Sequence, residues 1–528
     1  MTINKSISSQ LFFGGLLVLV TGLPLSKFLV SVSQFILIGA WILQGNPLTH
    51  LKTAFSNRVV LALVSLYVIH LIGMLYSSQA DYGLNDLRIK LTLLILPIIF
   101  STTTALTRKE FRVILIVFVL ATFISSIVSV AIYCGFTSKI ITDTRQLSPF
   151  MSHIRLGIFV CMAIFSCCWL LADLKSLRDR VVFAAFVLWF LVFLVILESI
   201  TAFSILALVV LFFMIQFIVR SGSIRVKTLT SLCVLVIGIA SVYYLQTVWD
   251  EVSKVNRGEL KQLKEITAEG NKYVHDTTAT NTENGHLLFI NVCEQEMQEA
   301  WDRRSSMPYS GQNLRGDELR MTIIRFLSSK GFPKDGNAIH KLNDAEVTAI
   351  EKGVANVDYL TSKGLHPRIK VTLWELHQYR QFRNPDGHSI AMRLEFWRTA
   401  WLIIKDHWLI GVGTGDVRYA FEQKYNEINS PLSQPYRLRA HNQFITITVA
   451  LGFIGLGCFL FSLLAPGLWL KKMREPFYMV FLITALLSFL TEDTLETQAG
   501  LSFYAFFNCF LLFMEPATTN NKLSDRVN

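Results

Sequence analysis

Long apolar runs separated by short polar joints fill the first 246 residues. The chain then turns polar over 247–440 and returns to apolar runs near its end. The runs fall near 10–24, 27–45, 58–77, 89–102, 110–134, 154–173, 181–198, 201–219, 226–246, 442–468, 476–490 and 498–514. Each approaches the roughly 20 residues that carry a helix across a hydrocarbon layer. The pattern predicts an all-α, polytopic membrane protein with about twelve transmembrane helices. Gly22 and Pro24 interrupt the first run, and the stretch from Glu198 to Thr201 separates two nearly continuous ones.

The polar region keeps a helical rhythm. Apolar residues recur at helix spacing over 285–304, 317–330, 344–354, 368–383 and 389–407, between Gly, Pro and Asn breaks. Asn343, Asp344 and Glu346 form an N-terminal capping pattern, and Pro385, Asp386 and Gly387 a turn signal. This predicts a large, mostly helical loop subdomain before the last three helices. The domain reading is nine membrane helices over 1–246, the loop over 247–440, three more helices over 441–516 and a cytoplasmic tail over 517–528.

Charge changes the picture by giving orientation. Only 16% of residues are charged, against about a quarter in soluble proteins, and 52% are hydrophobic. The net charge of +11 concentrates in alternate joints: Lys52 and Arg58; Arg108, Lys109 and Arg112; Lys175, Arg178 and Arg180; Arg220, Arg225 and Lys227; Lys471, Lys472 and Arg474. The positive-inside rule places these joints and both termini in the cytoplasm and the large loop outside, which is periplasmic in a bacterial inner membrane. The surplus therefore points to membrane lipids and topology and not to nucleic acid. The N-terminal run lacks a small-residue cleavage site and reads as the first membrane helix. Six of the eight cysteines lie in apolar runs, so no disulfide framework is implied.

Candidate chemistry gathers on the outer face. His441 stands just before an apolar run, behind Arg437 and Arg439 and ahead of Asn442. An imidazole there can act as a general base or merely anchor a helix. Arg393 leads into the glycine-rich stretch Gly411 to Asp416, which lacks the lysine and strand of a phosphate-binding loop and reads as a tight turn. Arg155 opens a helix and needs an anionic partner; Arg88 and Lys90 give a weaker form of the same signal. Glu492, Asp493 and Glu496 sit in a short outer joint, where they can hold arginines in place. His366, His377 and His388 show no metal-ligand spacing, so no metal is predicted.

His441 and Asn442, nine residues, then Gly452 and Gly455 resemble the H-[NSQ]-x9-G-x-x-G pattern of the O-antigen ligase and polymerase superfamily. Leu456 departs from the Gly, Thr or Tyr that usually follows. Arg393 and Trp397 ahead of Gly411 and Gly413, the stretch Thr491 to Gly500, and the twelve-helix plan with one late outer loop are similar too. The region from about 250 to 385 is longer than the usual loop. The resemblance implies an inverting, metal-independent glycosyltransferase without a cofactor. Its donor would be a glycan on undecaprenyl diphosphate and its acceptor a sugar hydroxyl of lipid A core, the closing step of lipopolysaccharide biosynthesis. It implies His441 as catalytic base and Arg393 and Arg155 as diphosphate ligands. Arg437 and Arg439 join them on chemistry alone, with Asn442, Glu492 and Asp493 in support. A repeat-unit polymerase shares these parts, and a non-enzymatic lipid-linked sugar transporter is the reading from another class.

Overall fold

The computed structural model describes residues 2–137, 141–361 and 364–514. The tail assigned to 517–528 lies outside the described residues. The chain is helical almost throughout, as its pattern predicts. Its first part runs α1 (Thr2–Leu25), α2 (Lys27–Leu43), α3 (Pro47–Ser56), α4 (Arg58–Met74), α5 (Ala80–Lys90), α6 (Thr92–Thr102) and α7 (Arg108–Tyr133). It continues through α8 (His153–Asp173), α9 (Leu177–Leu197), α10 (Ile200–Arg220) and α11 (Ile224–Ser253). The loop carries α12 (Glu294–Arg304), α13 (Leu319–Ser329), α14 (Gly336–His340), α15 (Asp344–Glu351), α16 (Asp358–Thr361), α17 (Leu365–Phe382), α18 (Ser389–Asp406) and α19 (Val417–Glu427). The end comprises α20 (Gln443–Trp469), α21 (Pro476–Thr491) and α22 (Gln498–Cys509), which continues as a π-turn to Met514.

All twelve apolar runs form helices, and the protein is an all-α polytopic membrane protein. Among the described residues seven helices are long and apolar enough to cross a bilayer, or eight if α2 and α3, bent by 105°, count as one span. The helices α4, α6, α21 and α22 are shorter, so twelve crossings remain the reading of the sequence pattern. The core is aromatic. Phe510 stacks on Phe111 at 4.4 Å between centroids, and Phe507 meets Phe118 at 5.0 Å. The last helix is buried along nearly its whole length and serves as the bundle's central post.

The helix before the loop exceeds its apolar run. At 30 residues α11 reaches ~45 Å at 1.5 Å per residue, longer than a ~30 Å hydrocarbon layer. Its projecting end is held by α17: Lys370 bridges Glu251 and Asp358, each at 2.6 Å, and the Arg380 guanidinium lies 5.2 Å from the Trp249 ring. The loop thus begins after Ser253, several residues later than the composition suggests.

Residues 254–360 form a unit with its own core, centred on Trp301, Ile323, Phe326 and Leu327. The capping box at Asn343 and Glu346 is present. The helix expected over 285–304 starts only at Glu294, because Asn284 and Gly285, at φ 50° and 84°, turn the chain into a two-stranded hairpin, Thr282–Glu283 against His286–Leu287. An Asn-Gly pair at positive φ is the favoured hairpin turn, and that local preference overrides the helical spacing.

Candidate active site

The helix behind His441 is not a straight rod. Within α20, Gly452 has φ 64° and ψ −166°, a conformation essentially reserved for glycine. Phe444 and Phe459, fifteen residues apart, bring their ring centroids to 5.5 Å. In a straight helix they would stand ~22 Å apart. The segment is therefore a sharp V, with Gln443–Leu451 as one arm.

A broken helix exposes backbone groups, and the turn at Gly411–Asp416 satisfies them. The amides of Val412 and Gly413 donate to the carbonyls of Val449 and Ala450 at 2.9 and 2.8 Å. On the other side of the break, the amides of Phe453 and Ile454 donate to the carbonyls of Trp408 and Leu409 at 2.8 and 3.3 Å. Two backbones this close leave no space for side chains. A Cβ on Gly452 would lie 2.2 Å from the Leu409 carbonyl, and one on Gly411 would lie 2.4 Å from the Ala450 carbonyl. The glycine-rich turn is thus the close-approach element its composition predicts. Gly452 packs against the Trp408–Ile410 backbone and not against a neighbouring membrane helix.

Asn442 caps the arm that starts at Gln443, its side chain accepting from the Ile445 amide at 3.2 Å. His441, at φ 47°, turns the chain into that cap. The joint between α21 and α22 then organises the surroundings. Asp493 accepts from the amides of His441 and Asn442 at 3.3 and 3.0 Å and from the Thr446 hydroxyl at 2.7 Å. The Asn442 amide side chain donates to the Leu490 carbonyl at 3.2 Å. Together these fix the backbone carrying the imidazole. Phe396 lies beside the ring at 5.8 Å, and the Trp397 indole donates to the Ala440 carbonyl at 2.9 Å.

The imidazole itself faces a carboxylate. Glu492 Oε2 is 3.5 Å from His441 Nδ1, and Glu492 Oε1 is 3.4 Å from Arg393, which also donates to the Thr491 carbonyl at 3.0 Å. One side-chain carboxylate therefore orients the histidine and anchors the arginine. Burial would raise the Glu492 carboxyl. The hydrogen bond from His441 and the charges of His441, Arg393 and Arg155 outweigh it and hold the group below its ordinary value. Asp493 goes the other way, raised by burial despite Arg439 and Thr446. Arg155 feels Glu492 and Asp493 as its main counter-charges, yet its buried Nε donates to no protein group. A buried guanidinium N–H without a protein partner is suited to an anionic ligand.

Not every expected residue comes to this point. Arg439 lies one step away, bonded to Glu496 at 3.3 Å and to the Tyr82 hydroxyl at 3.1 Å. Arg437 turns elsewhere: it donates to the Leu432 carbonyl at 2.9 Å and to Asn426 at 2.6 Å, apart from Glu492. Two groups of small weight in the sequence prove central to the support. Lys90 is buried between Asp86 at 2.6 Å and Glu496 at 3.0 Å, and Gln443 bonds Glu496 and the Leu495 amide at 3.1 and 2.7 Å. Contacts some 400 residues apart leave no trace in local spacing. The charged run near Lys90 was the only signal. Among the described residues no three His, Cys, Asp or Glu side chains converge as a metal ion would require.

The apex of the V-shaped helix at Gly452, its glycine turn, His441 and Arg393 lie within one stretch that has a known counterpart. Residues 337–460 match the model of the O-antigen ligase family. The match supports the O-antigen ligase and polymerase superfamily for this chain, and with it a glycosyltransferase-like membrane enzyme acting on lipid-linked glycans. The matched segment ends inside α20, so Arg155, Glu492 and Asp493 lie outside it. No curated protein matches the chain.

Proposed function

We propose that the protein is an O-antigen ligase-like glycosyltransferase working at the periplasmic face of the bacterial inner membrane. It moves a glycan from undecaprenyl diphosphate to a sugar hydroxyl of lipid A core, with inversion and without a metal. The observation that carries this reading is the shared carboxylate: Glu492 meets both His441 and Arg393. His441 takes the proton of the acceptor hydroxyl. The oxygen then bonds to the anomeric carbon as the bond from that carbon to the diphosphate breaks, and the lipid diphosphate leaves with the electron pair.

Glu492 supports the imidazolium formed in that step, and Asp493 holds the backbone that presents it. Arg393 and Arg155 place fixed positive charge where the leaving diphosphate gains negative charge. Arginine suits this task because its planar fork meets two phosphate oxygens at once. Arg439 and Asn442 act through the framework: one braces Glu496, the other caps the arm behind His441.

A deletion strain tests the reading through its glycan profile. The account expects unmodified core with lipid-linked polymer accumulating. Core carrying single repeats would mark a polymerase instead, and donor trapped in the cytoplasmic leaflet a transporter. Orientation has a separate test. A cysteine at exposed Gln312, in a cysteine-free background, should react with a membrane-impermeant reagent on intact cells whose outer membrane has been opened. Reaction only after rupture of the inner membrane would reverse the topology.

A further inference from the structure

Beside the His441 centre lies a second group of cations that the transfer step does not use. It draws on three separate elements. Arg145, in the joint before α8, pairs with Asp143 at 2.6 Å. Arg315, from the 254–360 unit, crosses to donate to the Thr142 carbonyl. Arg368, on α17, has no carboxylate within ion-pair distance among the described residues. The three share one neighbourhood. Arg145 and Arg368 both act on Asp143, His153 and Glu375, and Arg315 feels Asp143, Arg145 and Arg368. His153 in turn feels Glu492, which ties the group to the proposed catalytic centre.

The three guanidiniums share this neighbourhood with Asp143, Asp317 and Glu375. Asp317 is exposed, and burial pushes the Glu375 carboxyl up to about 7, so it carries only part of its charge at neutral pH and positive charge is in slight excess. Like charges crowded together destabilise a protein unless something compensates them. In the same joint as Arg145, the buried Ser148 Oγ also makes no hydrogen bond. Buried polar atoms in native proteins are seldom left so.

We infer that Arg145, Arg315 and Arg368 form a subsite for an anionic substituent, a carboxylate or phosphate, on a sugar of the transferred or accepting glycan. The inference rests on the proposed glycosyl transfer and gives it a substrate class. It also gives the unit at 254–360 a task, since that unit supplies Arg315. The diphosphate has its own ligands in Arg393 and Arg155 around Glu492, so this subsite reads the glycan and not the lipid carrier. The substituent would take charge-assisted bonds from the arginine forks, with Ser148, in the Arg145 joint, as a neutral donor.

The test uses the full-length protein in lipid nanodiscs, with a monophosphorylated disaccharide and its neutral parent as binding probes. Wild type should bind the phosphorylated probe about tenfold more tightly, and Arg315→Gln with Arg368→Gln should erase that preference. Arg368→Gln alone, which breaks no ion pair within the protein, should reduce it. Equal binding of the two probes by wild type, or a preference kept in the double variant, would overturn the inference. Transfer assays then cross neutral and charged donors with neutral and charged acceptors. A preference that follows the donor's charge assigns the subsite to the transferred glycan; one that follows the acceptor's charge assigns it to the acceptor. Equal loss of transfer for charged and neutral glycans in the double variant would mean that these arginines serve the diphosphate, and the inference falls. A binding preference without any transfer by wild type would sink the catalytic reading and leave the subsite standing.

Discussion

Replacing Gly452 by alanine probes the V-shaped helix at its apex. The new Cβ would lie 2.2 Å from the Leu409 carbonyl and 2.5 Å from the Ile410 nitrogen, both backbone groups that cannot rotate away. The residue's conformation, φ 64° and ψ −166°, adds ~1–3 kcal/mol of strain for any side chain. Relief requires the Trp408–Gly413 segment to withdraw from the break. Losing two of its four backbone hydrogen bonds, each worth about 1 kcal/mol net, adds ~2 kcal/mol. The total of ~3–5 kcal/mol is below the 5–15 kcal/mol of a typical fold. The protein should therefore assemble with the arm behind His441 displaced. A shift of ~1 Å at a reacting group costs about a hundredfold in rate. Gly457→Ala is the control, because a Cβ there meets nothing within 4 Å. The assay compares transfer rate and thermal unfolding of both variants in detergent. Gly452→Ala should lose about two orders of magnitude in transfer, and Gly457→Ala should keep its rate. Wild-type transfer by Gly452→Ala would refute the V as the element that positions the histidine.

Further substitutions separate the arginines. Arg393→Lys keeps charge but loses the planar fork that would meet two phosphate oxygens, so transfer should fall about a hundredfold in the same assay. Arg437→Ala should cost about 1–2 kcal/mol of stability through its bonds to Leu432 and Asn426, seen as a lower unfolding temperature, with transfer little changed. The pH dependence of stability tests Glu375. Its folded pKa is raised to about 7, so its contribution is fully present below the ordinary carboxylate range and is lost as pH rises through 7. Glu375→Gln should flatten the unfolding temperature over that window, and an unchanged pH profile would count against the burial of this carboxyl.

The fold was legible because membrane helices announce themselves through uninterrupted apolar length, and the runs fall where the helices are. The break at Gly452 was not. The hydropathy of 442–468 is continuous, and a backbone kink leaves the apolar pattern intact. The glycines there were visible as a motif, and the turn at Gly411, about forty residues upstream, as a close-approach element, but nothing in the sequence paired the two. At the site, His441, Glu492 and Asp493 stood out because each is a charged or titratable group at the edge of an apolar run, and Arg393 because it leads into the glycine-rich turn. Arg437 and Arg439 looked alike in the sequence, two residues apart, yet they face opposite neighbours. Only the turn between Leu432 and Ala440 decides which one meets Glu496. Lys90 lacked emphasis because a cation at a helix end is common, and Glu496, the partner that ties it to the site, is more than 400 residues away along the chain.

The central claim is that His441 is the base of a glycosyl transfer. Purified wild-type protein and His441→Ala should be compared with a lipid-linked glycan donor and a lipid A core acceptor, following product formation. Unfolding temperature and donor binding are measured alongside to confirm that the variant is intact. The account predicts transfer by wild type and a loss of about two to four orders of magnitude in the variant, with donor binding retained. Transfer by His441→Ala at the wild-type rate would contradict it.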